Sequence, residues 1–124
     1  MMKLFLLLGS ANAFLFVALG AFGAHALKDK LEATGYLKTF ETGVQYHMIH
    51  AVALIAVAIL TKYLSATGLV HGAGWAFLIG IILFSGSLYA LSLTGIKILG
   101  AITPLGGLAF LVGWALLFAA AWME

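Results

Sequence analysis

Long apolar runs without Lys, Arg, Asp or Glu are the feature that most constrains how this chain can fold. Four of them divide the sequence, over Leu4–Leu27, Thr42–Thr61, Tyr63–Ile96 and Ile98–Met123. A helix that crosses the hydrocarbon core of a bilayer needs about 20 mostly apolar residues. Hydrophobic residues make up 65% of the 124 residues and charged residues 8%, a balance that a small soluble domain could not bury. The chain is therefore predicted to be an integral membrane protein.

An antiparallel four-helix bundle is the predicted fold, all-α and formed by a single domain over residues 1–124. In lipid, only helices and closed barrels satisfy every backbone polar group, and the sequence has no alternating strand pattern. The glycine-broken stretch Ala66–Gly74 is predicted to be a loop before the third helix. The predicted helices cover residues 3–26, 40–63, 73–93 and 99–122.

The first helix is predicted to be a retained span, although Lys3 followed by an apolar run and Ala24–Ala26 imitates a secretory signal and its cleavage site. The apolar stretch is longer than the usual signal core, which favours a spanning helix.

The segment Lys28–Lys38 alternates apolar and charged residues. Two interpretations remain open: a short amphipathic turn or helix in the headgroup region with its lysines directed outward, or a solvated connector. Gly35 is predicted to end this segment before the second spanning helix begins.

Pro104, Gly106 and Gly107 mark a predicted helix break. In one geometry Thr103 caps a helix that has Pro104 in its first turn. In the other, the helix begins near Leu99 and kinks at the proline. We favour a cap or a short irregular turn, because Pro104–Met123 is itself long enough to span. The two glycines serve either close helix packing or a broken helix that lines a cavity.

Polar residues are predicted to collect at one end of the bundle. Antiparallel threading brings the C-terminal ends of helices 1 and 3 to the face that holds the N-terminal ends of helices 2 and 4. Polar groups inside a membrane are costly unless paired, and they often mark function. The candidate cluster at this end consists of His25, Gln45, Tyr46, His47, His50, Ser85, Ser87, Tyr89 and Thr103. Ser10, Asn12, Thr61, Lys62 and His71 are assigned to the opposite end.

Within the second span, helical periodicity separates two faces. At about 100° per residue, one face carries Gly43, Tyr46, His47 and His50, and the opposite face carries Glu41 and Gln45.

No catalytic residues, metal or cofactor are predicted. The chain has no cysteine, and no serine has a histidine and an acid at a recognisable spacing. His47 and His50 could share a metal with His25 as a third ligand, and His25 with His50 could hold a haem. A quinone or lipid-headgroup site is also conceivable. Histidines that hydrogen-bond to hydroxyls or interfacial water are the more usual outcome.

Function is therefore left between three hypotheses. The first is a non-enzymatic accessory or scaffold component with the lipid bilayer and a second copy or a membrane protein as partners. The second is an oligomeric transporter or channel for a small solute or ion. The third is a metal-, haem- or quinone-binding membrane protein. The net charge of +2 gives no indication of nucleic-acid binding.

Four ordered motifs carry a family resemblance. They are Gly20–His25, Gln45–His50, Phe84–Tyr89, and Thr103–Gly107 followed by Gly113 and Trp114. Over essentially its full length the chain resembles the small bacterial membrane-protein family called domain of unknown function 423, which is similar to an uncharacterised mitochondrial transmembrane protein of animals. The resemblance implies a four-helix, multi-pass protein of the bacterial inner or plasma membrane, and it implies no reaction. Members often have glutamine at the position of His47, which weakens a bis-histidine metal site there.

Overall fold

The computed structural model describes all residues, Met1–Glu124, and is helical without strands. Four stretches are long and apolar enough to cross a membrane, which confirms the predicted all-α membrane fold. Consecutive spans joined by short connections run antiparallel. The helices are α1 (Met2–Ala24), α2 (Lys28–Thr34), α3 (Leu37–Tyr63), α4 (Thr67–Thr94) and α5 (Thr103–Trp122), with a 3₁₀ turn over Lys97–Ala101 before α5.

Two central helices, α3 and α4, hold the bundle together. Helix α1 packs mainly along α3, α3 packs on α4, and α5 packs mainly along α4. In the most apolar stretch of each helix, 44% of the residues are buried in α3 but 17% in α1. Helix α1 therefore turns most of its surface outward. The interior is nevertheless continuous across the helices, because Phe5 of α1 joins Phe77 of α4 and Phe110 of α5 in one buried apolar cluster.

Phenylalanine rings placed over glycines form the principal contacts between helices. At each of four positions a Cβ atom on the glycine would overlap a ring carried by a neighbouring helix. Helices in lipid associate through such close packing, because the surrounding acyl chains are as apolar as the side chains. The pairs are Phe5 on Gly74, Phe40 on Gly23, Phe77 on Gly113 and Phe110 on Gly80.

The α4–α5 pair has one regular register. Contacts recur after three or four residues along both antiparallel helices, the spacing of a coiled-coil seam. In order along α4 they are Phe77 with Gly113, Gly80 with Phe110, the Phe84 backbone with Gly106, and Ser87 with Thr103.

A π-helical turn interrupts α4 over Ile81–Ser85. It lies where α5 comes closest, since a Cβ on Gly106 would overlap the backbone nitrogen and Cα of Phe84. Such turns are rare and occur frequently at functional sites. The sequence analysis did not predict this one.

The predicted loop over Ala66–Gly74 is wrong. Helix α4 begins at Thr67, and only a short connection from Leu64 to Ala66 separates it from α3. The glycines of this stretch provide room for packing instead of breaking the helix, because Gly74 lies under the ring of Phe5. The third span is accordingly longer than predicted.

At Pro104 the structure has a short irregular turn, the geometry that the sequence favoured over a kink. A 3₁₀ turn over Lys97–Ala101 precedes α5, and Pro104 lies in the first turn of that helix. A continuous helix from Leu99 is therefore wrong. Thr103 is also not a side-chain cap, because its hydroxyl hydrogen-bonds to Ser87.

The connection between α1 and α3 contains the short helix α2, as one of the two open interpretations predicted. Its apolar residue Leu31 is fully buried, while Lys28, Lys30 and Glu32 are exposed. The helix ends at Gly35, whose φ of 80° lies in the left-handed region that glycine adopts without strain.

Replacing Gly106 by alanine tests the contact with the π-helical turn. We expect Gly106→Ala to lower the free energy of unfolding by about 1–3 kcal/mol, because backbone atoms of Phe84 cannot move aside cheaply. Gly68→Ala is the matched control, since no atom lies within 4 Å of a Cβ there. Unfolding in detergent followed by tryptophan fluorescence measures both; equal stability of the two variants would contradict the packing described.

The side-chain carboxylate of Glu124 supplies a pH-dependent contact outside the membrane. The Ser65 backbone N–H donates to Oε1 at 2.9 Å, and its hydroxyl donates to Oε2 at 2.6 Å. These hydrogen bonds hold the pKa of Glu124 below its usual value of 4.5. A lowered folded-state pKa stabilises the folded protein above the unfolded pKa, and this stabilisation is lost as pH falls through the folded value.

We therefore expect wild type to be slightly more thermostable than Glu124→Gln at neutral pH, with the difference disappearing in acid. The melting temperatures of both proteins in detergent, measured from neutral pH to below the carboxyl's usual pKa of 4.5, provide the test. Glu32→Gln is the control, because this exposed carboxylate has no such hydrogen bonds. A difference that grows on acidification would refute the assignment.

Candidate functional site

Three polar side chains of the interior lie near the middle of the spanning helices. His50 is the central residue of α3, and Asn12 and Trp114 lie close to the centres of α1 and α5. At about 1.5 Å per residue, His50 is about 20 Å from either end of its helix. These side chains thus lie deep in the hydrocarbon region, where water cannot satisfy them.

Three side chains from three helices form one hydrogen-bonded chain around His47. Its Nδ1 lies 2.8 Å from the hydroxyl of Tyr89 on α4, and its Nε2 lies 2.9 Å from Oδ1 of Asn12 on α1. The Asn12 amide nitrogen donates to the Leu8 carbonyl at 2.8 Å, so Oδ1 must accept. His47 therefore donates from Nε2 and accepts from Tyr89 at Nδ1, as a neutral imidazole does.

His50 has a separate set of partners. Its Nδ1 donates to the Tyr46 carbonyl one turn earlier at 2.7 Å, and its Nε2 accepts from the indole N–H of Trp114 at 3.1 Å. The ring also stacks on Phe110, with centroids 3.5 Å apart and planes inclined by 7°. His50 therefore joins α3 to α5 in the way that His47 joins α3 to α1 and α4.

Hydroxyl groups of α4 attach that helix to its neighbours. Ser85 in the π-helical turn donates to the Gly43 carbonyl of α3 at 2.8 Å. Ser87 donates to the Phe84 carbonyl at 2.9 Å, so in its 2.6 Å contact with Thr103 of α5 it accepts the proton of that hydroxyl.

The structure brings together two pairs of the predicted cluster, His47 with Tyr89 and Ser87 with Thr103, and corrects the assignment of Asn12. Asn12, which the sequence analysis assigned to the opposite end, hydrogen-bonds directly to His47. His25 and Gln45 are exposed and take no part in the buried hydrogen bonds. The reason is depth, because a side chain ten or more residues inside a spanning helix lies near the bilayer centre and can meet partners from either half.

A three-histidine metal site is not formed. His25 does not join His47 and His50 in any group that could hold a metal ion. Each ring nitrogen of His47 and His50 already has a hydrogen-bond partner within the chain. The structure therefore does not support the alternative of a metal site with His25 as third ligand. A haem held between His25 and His50 would require the partners of His50 to be removed.

Sequence reasoning missed two of the residues that complete this interior, Asn12 and Trp114. Asn12 is the chain's single asparagine and lies near the centre of a predicted span, where an amide is rare enough to indicate a buried partner. Trp114 occurred within a family motif, but nothing in its spacing pointed to His50.

Two of the surface depressions on the bundle contain polar or aromatic residues of interest. The first, here called the α3–α5 groove, has a volume of about 510 Å³ and reaches His50; its other lining residues are Tyr46, Phe84, Pro104, Gly107, Leu108, Phe110, Leu111 and Trp114. The second, called the α1–α3 cleft, has about 390 Å³ and is lined by Gly20, Gly23, Ala24, Lys28, Leu37, Phe40, Glu41, Val44 and Gln45. Neither is lined by Asn12, His47 or Tyr89.

Four apolar spans with an internally paired polar centre define a small multi-pass protein of the cell membrane. The chain belongs to the family described as a protein of unknown function, DUF423, which it matches over residues 19–107. It is 57% identical to the UPF0382 membrane protein YwdK of Bacillus subtilis over 97% of both chains. It is 48% identical to a UPF0382 membrane protein of Staphylococcus saprophyticus over 94% of both chains. No solved structure matches.

Removing one hydroxyl tests the hydrogen-bonded chain around His47. We expect Tyr89→Phe to lower the free energy of unfolding by about 1 kcal/mol, the scale of hydrogen bonds between membrane helices, because Nδ1 of His47 loses its donor. Tyr63→Phe is the control, since that ring is 71% exposed at the end of α3. Unfolding in mixed micelles measures the difference; the same stability in both variants would rule out a stabilising Tyr89–His47 bond.

Proposed function

We propose that the protein is a non-enzymatic accessory or scaffold component of the bacterial cell membrane, which acts by binding another membrane-protein helix. The observation that carries this proposal is the complete internal pairing of its polar interior. No buried side-chain nitrogen or oxygen lacks a hydrogen-bond partner. An interior in which every polar group already has a partner offers none to a substrate.

The direction of the hydrogen bonds supports a structural role for the histidines. From Tyr89 the chain runs through His47 and Asn12 and ends at the carbonyl of Leu8. A backbone carbonyl accepts a hydrogen bond but does not pass a proton on, so the chain provides no continuous proton path. Its effect is to fix three helices relative to one another.

The α3–α5 groove is the surface that suits a helical partner. Gly107 leaves part of the groove wall without a side chain, and the rings of Tyr46, Phe84 and Trp114 add aromatic contact area. Small residues let a second helix approach closely, and aromatic residues are enriched in the cores of protein interfaces.

Photo-crosslinking from inside the membrane tests this function. A benzophenone amino acid at Leu111, which lines the groove and is 67% exposed, is compared with one at Leu7 on α1, which is 59% exposed. We expect an adduct from Leu111 either at dimer mass or with one partner that is identified by mass spectrometry and confirmed by reciprocal crosslinking. Lipid adducts alone at both positions would overturn the proposal.

A further inference from the structure

The α1–α3 cleft lies outside the polar interior and has no part in the function proposed above. It opens where the C-terminal end of α1, the start of α2 and the first turns of α3 meet. Glycines leave its wall without side chains, and the ring of Phe40 lies against Gly23. Its volume of about 390 Å³ accommodates a polar headgroup and the beginning of an acyl chain.

The cleft crosses the boundary between headgroups and hydrocarbon. Helix α3 has 27 residues and so extends about 40 Å, more than the roughly 30 Å of a hydrocarbon core. Its first turn therefore reaches the headgroup level, and Glu41, at the start of the second turn, lies at the boundary between headgroups and hydrocarbon. Val44 and Gln45 lie one turn deeper on the same cleft wall.

Charges of opposite sign line the outer part of the cleft. Lys28 comes from α2 and Glu41 from α3, and both are exposed. No salt bridge within 4.0 Å joins them, so each can bind a group of opposite charge. The amide of Gln45, one turn further along α3 on the same wall, adds a donor and an acceptor.

We propose that the α1–α3 cleft binds a phospholipid whose headgroup carries both a phosphate and a primary ammonium. Lys28 donates to the phosphate and Glu41 accepts from the ammonium. Gln45 hydrogen-bonds to an ester carbonyl, and one acyl chain follows the apolar wall at Gly20 and Val44. The cleft thus combines a cation, an anion and an amide with an apolar wall, the groups that the parts of an aminophospholipid require.

Native mass spectrometry of the purified protein in detergent tests the site. The probes are phosphatidylethanolamine, phosphatidylcholine and phosphatidylglycerol with identical acyl chains. We expect the ethanolamine lipid to bind about tenfold more tightly than the other two, the scale of one charged hydrogen bond. Phosphatidylcholine has no ammonium proton to donate, and phosphatidylglycerol has no ammonium. Equal binding of all three lipids overturns the proposal.

Variants locate the effect. Glu41→Gln is expected to abolish the preference for the ethanolamine lipid. Lys28→Ala is expected to lower the affinity of the protein for all three lipids. The matched controls are Lys30→Ala and Glu32→Gln, which alter exposed charges of α2 outside the cleft and are expected to leave binding unchanged. If the control variants lower lipid binding as much as the cleft variants do, the effect comes from surface charge in general, and the proposal is overturned.

The source of the headgroup is tested by competition with soluble glycerophosphoethanolamine. We expect no competition at concentrations equal to those of the lipid, because the acyl chain contributes to binding. Displacement by the soluble compound would overturn the assignment to a lipid. Unaltered melting temperatures of the variants in lipid-free detergent show that each is folded, and the result is independent of the crosslinking from Leu111.

Discussion

The bundle depends on phenyl rings that rest on glycines of neighbouring helices. In lipid, burying an apolar side chain between helices gains little over leaving it among acyl chains, so shape must supply the attraction. Phe40 on Gly23 joins α3 to α1, and Phe77 on Gly113 joins α4 to α5. Each glycine lets a ring approach to where any other side chain would overlap it, and the close contact gains dispersion energy over the whole ring.

This close packing brings the polar groups together. Gly43 is an example, because its missing side chain makes room for the ring of Tyr89 while its carbonyl accepts from Ser85. The hydroxyl of Tyr89 can then reach His47. Hydrogen bonds at this depth have no competing water, so they specify which helices meet. Packing provides proximity, and the polar pairs determine the choice of neighbours.

The sequence predicted those features that follow from local pattern. Uncharged runs predicted the spans, and the period of α3 predicted that Gly43, Tyr46, His47 and His50 share a face. Three of these residues are buried, and Tyr46 is 40% exposed. Partners across helices could not be predicted, because nothing in the spacing of Asn12 or Trp114 indicates His47 or His50. The loop prediction at Ala66–Gly74 failed because glycine breaks helices in water, whereas in lipid it lets helices approach closely.

The regular register of α4 and α5 limits how this protein can move. Bulky and small residues alternate along the seam, with Phe77 opposite Gly113 and Phe110 opposite Gly80. A slip of one helical turn would place Phe110 against Phe77, and two rings cannot occupy the space made for one. This alternation of bulky and small residues therefore opposes sliding of α5 along α4. A shift of α5 along α4 therefore requires the two helices to separate first.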